Sequence, residues 1–473
     1  MTYGAAPDYG HVADAVHSSP DTTFAGRALI VAWAFPPASP IGTFRTLRFA
    51  TQLAASGWTA TVLSAAPHTY PEGTPTDPAL VARIPPAIDV LHVPVFRPSV
   101  MLGTALSKPP RTRAASPRPS PSGPGRPPSV WRRCRAFVRE VTTIPDKEIG
   151  WVLPATVAGV LAHWRRPVDV LYSSSSPWSG QLAALTIARV TGVPWVADFR
   201  DPWARAPWRE AWSERVRLAA GTLERRVVAR ADAILFATRA NRDEYAAFYG
   251  ADAARKFHVV PNGCDPGEFV SLRSEGDSAQ FVLLHAGSLY GARTPVPLFR
   301  AMAAAIRRGT LDPRKFRLRL LGTTPDAGRA FMAAAATLGV DELVEFVPRL
   351  PREATLEQMA SASCLLVLQP GTTVSVPGKV YEYLAVGRPI LAIAEEGETA
   401  DLVRASGVGS SVGPDDEVAI DAAFERILTQ GQTRGRMRVP THLYDGNVAA
   451  REAVAVVGRI AQAARKRRVH GTR

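Results

Sequence analysis

Short apolar runs alternate with amphipathic stretches along this chain, in two different periods. RALIVAWAF at 27–35 is a continuous apolar run, the pattern of a strand buried on both faces. A Pro/Gly loop, PPASPIGTFR, follows. Leu47, Ala50, Leu53 and Ala54 then fall at helical spacing between Thr43 and Ser56, and Gly57 is the stop. TATVLSA at 59–65 is a second strand. Strand, glycine loop, helix and strand make one parallel crossover unit. A third strand is predicted within 88–96.

The alternation resumes beyond residue 130. It predicts a helix over 151–164, a strand over 168–175 running into serines, a helix over 178–190 and a strand over 193–200. Helices around 210–230, a strand at 233–238, a helix over 240–249 and a last strand with its turn over 256–265 follow. This is an α/β domain of six or seven strands. A stretch of low hydrophobicity, 266–279, reads as a linker. FVLLHAGS at 281–288 then restarts the motif. Strands at 316–321, 343–347, 364–370 and 389–394 alternate with helices over 295–308, 326–338, 353–361, 378–386 and 398–405. A helix over 416–430 and an alanine- and valine-rich amphipathic helix over 448–465 close the chain.

Composition changes this picture in three places. Residues 98–129 contain PPRTRAASPRPSPSGPGRPPS and no acidic residue. Proline removes backbone donors and restricts its predecessor, so the segment reads as a flexible basic insertion. The first 25 residues read as a flexible leader, without the basic region or apolar core of a signal peptide. The chain of 473 residues carries a formal net charge of +14, partly in the insertion and partly in the terminal ARKRRVHGTR. That balance is either a set of solvated basic tails or an attraction to an anionic membrane surface. Nucleic acid is not an expected partner, because neither zinc-finger spacing nor an aromatic-interleaved basic stripe occurs. Cys134, Cys264 and Cys364 form no metal or disulfide pattern. A cytoplasmic location follows, peripheral to the inner membrane face if the basic segments engage lipid.

Four constellations sit where strands end, the edge at which open parallel sheets bind ligands. In PPASPIGTFRTLR, Gly42 allows close backbone approach, and the helix after it offers free N–H groups with Arg45 beside them. In DFRDPW, Asp198, Arg200 and Asp201 are expected to orient an acceptor hydroxyl, with Trp203 and Arg45 facing the acceptor and Asp201 taking a proton. The alternative for Asp201 is a helix cap paired with Arg200. In HAGSLYGARTP, Gly287, Ser288 and Arg293 suit a pyrophosphate, though no Walker motif and no GxGxxG is present. In GTTVSVPGKVYEYLAVGRPILA, Lys379 and Glu382 lie three apart on a helix whose first residue is Gly378. Phosphate suits Lys379 and the helix dipole, and Glu382 can accept from two vicinal ribose hydroxyls. The bland alternative for Glu382 is a surface pair with Lys379.

With these motifs in this order, the sequence resembles the retaining glycosyltransferases of family 4 over roughly 28–96 and 140–465. The resemblance implies an α/β GT-B fold, two doubly wound Rossmann-like domains facing across a cleft. It implies an acceptor domain over 26–265, interrupted by the insertion 98–129, a donor domain over 266–440, and a terminal helix and tail over 441–473 returning to the first domain. It implies transfer from a nucleotide diphosphate sugar, uridine-linked, to a small-molecule or lipid-linked sugar acceptor. No cofactor and no metal are implied. Glu382 matches the second glutamate of the family's pair, on the donor ribose. Val374 stands where the first glutamate belongs, so hydroxyl or backbone contacts from Thr372, Thr373 or Ser375 take its place. Arg293 matches the lysine on the diphosphate, Ser288 replaces an arginine, and Gly42 matches the loop glycine near the donor phosphates and the acceptor, and so counts among the donor contacts. DFRDPW stands where many relatives carry a histidine. A nucleotide-sugar epimerase of the same fold and a non-catalytic binding homologue are the competing readings.

Overall fold

The computed structural model describes residues 25–96, 144–207, 209, 212–272, 280–289, 291–430 and 436–471. The leader before residue 25, the basic insertion 98–129 and part of the linker 266–279 lie outside the described residues. Among the described residues, those up to Leu235 and those from Val456 form one compact unit, and Phe236–Ala455 form the other.

The first sheet has seven strands: β1 Arg27–Val31, β2 Thr59–Ala65, β3 Ile88–Val93, β4 Val170–Ser175, β5 Trp195–Phe199, β6 Ala233–Phe236 and β7 Phe257–Val259, in the order β3-β2-β1-β4-β5-β6-β7. β1 pairs in parallel with β2 and β4, so that Leu29 lies opposite Thr61 and Leu171. Strands β4 and β5 are buried along their whole length, the serines of β4 and Asp198 of β5 included. The strand order reverses between β1 and β4, and such a reversal opens a crevice at the carboxyl edge of a sheet. Helix Ile41–Ala55 begins there, and helix Ser179–Thr191 leaves from the end of β4.

The second sheet has six strands: β8 Phe281–Ala286, β9 Phe316–Leu321, β10 Val344–Val347, β11 Cys364–Gln369, β12 Ile390–Ala394 and β13 Gly409–Val412, in the order β10-β9-β8-β11-β12-β13. β8 pairs in parallel with β9 and β11, β9 with β10, and β12 with β11 and β13. Side chains alternate cleanly between its two faces: Leu284, Leu365 and Val367 join one apolar cluster, and Leu283, Leu366 and Leu368 the other. Here the order reverses between β8 and β11, and helix Gly378–Val386 follows β11.

Two parallel sheets flanked by helices are the two Rossmann-like domains of a GT-B fold, as expected. The departures are local. β13, GSSV, was not predicted; it is only half-buried and carries a single large apolar residue, Val412, and it pairs along the edge that β12 offers. Of the last strand and turn expected over 256–265, the strand is Phe257–Val259; beyond it, the Cys264 N–H donates to the Tyr444 carbonyl at 2.9 Å. The closing helix, expected over 448–465, spans Gly446–Gly471, its basic last turns suiting the negative end of the helix dipole.

Candidate functional site

In the unit of residues 236–455, the motif residues gather at the carboxyl ends of β8 and β11. β8 ends His285–Ala286, and Gly287 follows with φ of +126°, a conformation open to glycine. A side chain there would lie 3.1 Å from Lys379 Nζ, so glycine also clears room for that ammonium. Lys379 is the second residue of helix Gly378–Val386, whose N-cap Pro377 offers no side-chain cap, leaving its first N–H groups for a ligand. The ammonium of Lys379 donates to His285 Nε2 at 2.9 Å. His285 Nδ1 faces the Leu366 carbonyl at 3.0 Å; a carbonyl only accepts, so Nδ1 carries the proton and Nε2 is free to accept. Burial, then the Lys379 charge, push the His285 pKa well below its ordinary value, which keeps the ring neutral. Burial, then Arg293, lower the pKa of Lys379 from 10.5 to about 7, with Glu382 opposing. Lys379 and Arg293 are crowded together, with Glu382 opposing, an arrangement suited to an anionic ligand.

Arg293 reaches the same place by donating from Nη2 to Gln369 Oε1 at 2.6 Å, at the end of β11. The phenol of Tyr383 accepts from the Ala286 N–H at 2.8 Å and fixes the backbone just before Gly287. Ser288 is exposed. Glu382 does not pair with Lys379. It accepts from Arg352 at 2.8 Å, and Arg352 also bonds Glu268. Only one carboxylate oxygen is engaged in that pair, leaving acceptor capacity for a diol. Thr372 and Ser375 bond each other at 3.1 Å. Their loop is pinned: the Val374 carbonyl accepts from Thr238 at 2.5 Å and the Ser375 carbonyl from Thr399 at 2.9 Å. His285 and Tyr383 were missed by sequence reasoning. A histidine one residue from the end of an apolar strand, before Ala-Gly-Ser, was the available signal.

In the other unit, the crevice between β1 and β4 is lined by Trp33, Gly42, Thr46, Ser174, Ser176 and Arg200. A Cβ on Gly42 would lie 2.4 Å from the Arg200 guanidinium, so glycine is what lets that side chain cross the helix N-terminus. Arg200 donates to Ser176 at 3.0 Å and to Asp201 at 2.8 Å. Asp201 therefore has the Arg200 pair that the alternative foresaw, but it caps no helix: Ser213 caps the next one. The Asp201 side chain stays 40% exposed. The buried Arg200 Nε and Thr43 Oγ1 have no partner in this crevice.

Three expectations change here. Asp198 is fully buried and takes both Arg45 donors at 2.8 Å, the Tyr172 hydroxyl at 2.8 Å and the Ser174 hydroxyl at 3.1 Å. Its oxygens are committed to framework partners, and Arg45 is held against them. Trp203 is also fully buried, stacked on Trp178 with centroids 4.8 Å apart. These three hold the end of β5 in place, and Arg200 and Asp201 are the motif residues left at the surface of the crevice. Among the described residues no group of three or more His, Cys, Asp or Glu side chains is arranged to hold a metal ion.

Residues 43–263 match the family model described as glycosyl transferase 4-like domain, and residues 280–430 that described as glycosyl transferases group 1. A D-inositol 3-phosphate glycosyltransferase of Nocardia farcinica is 31% identical over 39% of this chain and 42% of its own length. A D-inositol 3-phosphate glycosyltransferase of Catenulispora acidiphila is 29% identical over 63% of this chain and 72% of its own length. The chain thus spans less than half of the first of these relatives. Among solved structures, Anabaena HepE in complex with UDP-glucose superposes with a TM-score of 0.54 at 14% identity, over 93% of this chain and 100% of that one. That likeness is one of fold.

Proposed function

Because this chain is a GT-B-fold glycosyltransferase related to the glycosyl transferase 4-like and group 1 families, we propose that it moves a sugar from a uridine diphosphate sugar to an acceptor hydroxyl with retention at the anomeric carbon. The observation that carries this is the pair Arg293 and Lys379 at the uncapped start of helix Gly378–Val386. A diphosphate is the ligand whose charge that arrangement meets. Glu382 takes the ribose diol with the oxygen that Arg352 leaves. Thr372, Thr373 and Ser375 hold the sugar where Val374 replaces a carboxylate.

As the anomeric C–O bond breaks, its electron pair goes to the leaving diphosphate oxygen. Arg293, Lys379 and the helix N–H groups stabilise that charge. The acceptor oxygen attacks from the same face, and its proton passes to the leaving phosphate. Arg200 and Asp201 orient the acceptor in the other unit. The acceptor is a small molecule or a lipid-linked sugar, in cell-surface glycan or natural-product assembly.

A panel of nucleotide sugars tested for thermal stabilisation and slow hydrolysis examines this reading. A uridine diphosphate sugar should raise the melting temperature and be consumed. If no nucleotide diphosphate sugar does either, the reading fails. Product analysis without acceptor separates transfer from epimerisation of the donor.

A further inference from the structure

Helix Val152–Arg165, VLPATVAGVLAHWR, has no polar face. Its inward side is built from Ala155, Thr156, Gly159 and Val160. Its outward side carries Leu153, Val157, Leu161 and Trp164, exposed by 72, 49, 40 and 65%. At 100° per residue these four fall within an arc of about 80°. A helix on a water-facing surface ordinarily turns charged and polar residues outward. Single exposed apolar residues need no explanation, but four in one stripe ending in a tryptophan do.

The stripe runs into positive charge. Arg165 and Arg166 are exposed at its end. The closing helix carries exposed Arg465, Lys466, Arg467 and Arg468, and Arg467 and Arg468 stand at this same edge of the unit. Arg467 and Arg468 line a hollow with Gly192 and Pro194, just past the end of the neighbouring helix Ser179–Thr191. His163, in the last turn of the stripe's helix, has its pKa lowered by burial and then by the charge of Arg468. The nearby acids are engaged: Asp232 by Arg230 at 3.1 Å and by the Trp195 N–H, and Asp169 by the Arg27 N–H. The edge is therefore strongly basic.

From this juxtaposition we propose that the stripe Leu153, Val157, Leu161 and Trp164, with the basic cluster at its foot, is a docking surface for an anionic lipid bilayer. Apolar side chains enter the headgroup boundary while arginines meet lipid phosphates, the division of labour of an interfacial helix. The bilayer is the occupant favoured over a second copy of this chain, because a second copy would bring the same positive edge against itself. The proposal does not depend on the donor reading.

The test is flotation of the full-length protein with vesicles of phosphatidylcholine alone or with one third phosphatidylglycerol. Binding should require phosphatidylglycerol and weaken at high salt, where exposed charges are screened. The double substitution Leu161→Glu and Trp164→Glu should lower partitioning by about tenfold or more, with far-UV circular dichroism and melting temperature unchanged. Replacing Arg465, Arg467 and Arg468 by Ser should also lower it and flatten the salt dependence. Quenching of tryptophan emission by brominated lipid should be lost in Trp164→Phe. The proposal is overturned if anionic vesicles do not bind at low salt. It is equally overturned if the stripe substitutions leave binding unchanged, or if they split a dimer in sedimentation without altering vesicle binding.

Discussion

Lys379 Nζ lies 2.9 Å from His285 Nε2, and the histidine at that distance is a neutral acceptor, not a competing cation. Burial and Arg293 hold the lysine pKa at about 7. On the proposed donor reading, the lysine that would meet the diphosphate is therefore half-charged at neutral pH before the donor binds.

Donor binding should follow that titration. UDP-glucose has no titrating group near neutrality, and it favours the charged lysine. Its affinity should be flat below about pH 6.5 and fall by up to about tenfold per pH unit above 7, with proton uptake on binding. Calorimetry in buffers of different ionisation enthalpy reads both; a flat profile identical to that of Lys379→Met contradicts the assignment. In the free protein the sign is reversed. A lowered folded pKa means the unfolded chain holds the extra proton between about pH 7 and 10.5, so the lysine's burial cost lifts as pH rises through that window.

Glu382→Ala should separate binding from stability. The Arg352 pair is partly exposed and contributes little to folding. Loss of a charged acceptor for two ribose hydroxyls should weaken UDP-glucose by about tenfold or more. Titration calorimetry beside a melting curve tests it: unchanged affinity sinks the ribose role.

The two aspartates of DFRDPW should behave oppositely. Asp198→Ala removes the carboxylate that takes two hydrogen bonds from buried Arg45 and should cost about 3–5 kcal/mol of stability, seen in urea unfolding. Asp201→Asn touches a half-exposed group and should leave unfolding nearly unchanged while lowering kcat by about 10–100-fold, with UDP-glucose affinity intact. A wild-type kcat for Asp201→Asn removes it from the acceptor site.

Gly42→Ala places a methyl 2.4 Å from Arg200 Nη1. The guanidinium has to leave Ser176 and Asp201, so turnover should fall while UDP-glucose binding persists. Equal losses in both would place Gly42 at the donor instead.

The sequence alone determined the architecture, because backbone periodicity is local. The strand Phe316–Leu321 and the helices Gly378–Val386 and Glu398–Ala405 were legible to the residue. Each is a run whose apolar positions, glycines and prolines agree. β13 was not legible, since its four residues carry no pattern of their own and pair only because β12 is beside them. The nearness of Gly287 and Lys379 was legible for a similar reason: they sit at a strand end and a helix start that a doubly wound sheet brings to one edge.

Tertiary structure alone decided what each polar group meets. Asp198 and Asp201 are three residues apart on one segment, yet one is sealed against Arg45 and the other lies open with Arg200. Spacing could not assign Glu382 to Arg352, or Lys379 to a histidine 94 residues away. Hydrogen bonds and ion pairs act over a few ångströms between atoms remote in the chain. Their partners are chosen by packing, and packing is what a sequence read in order does not contain.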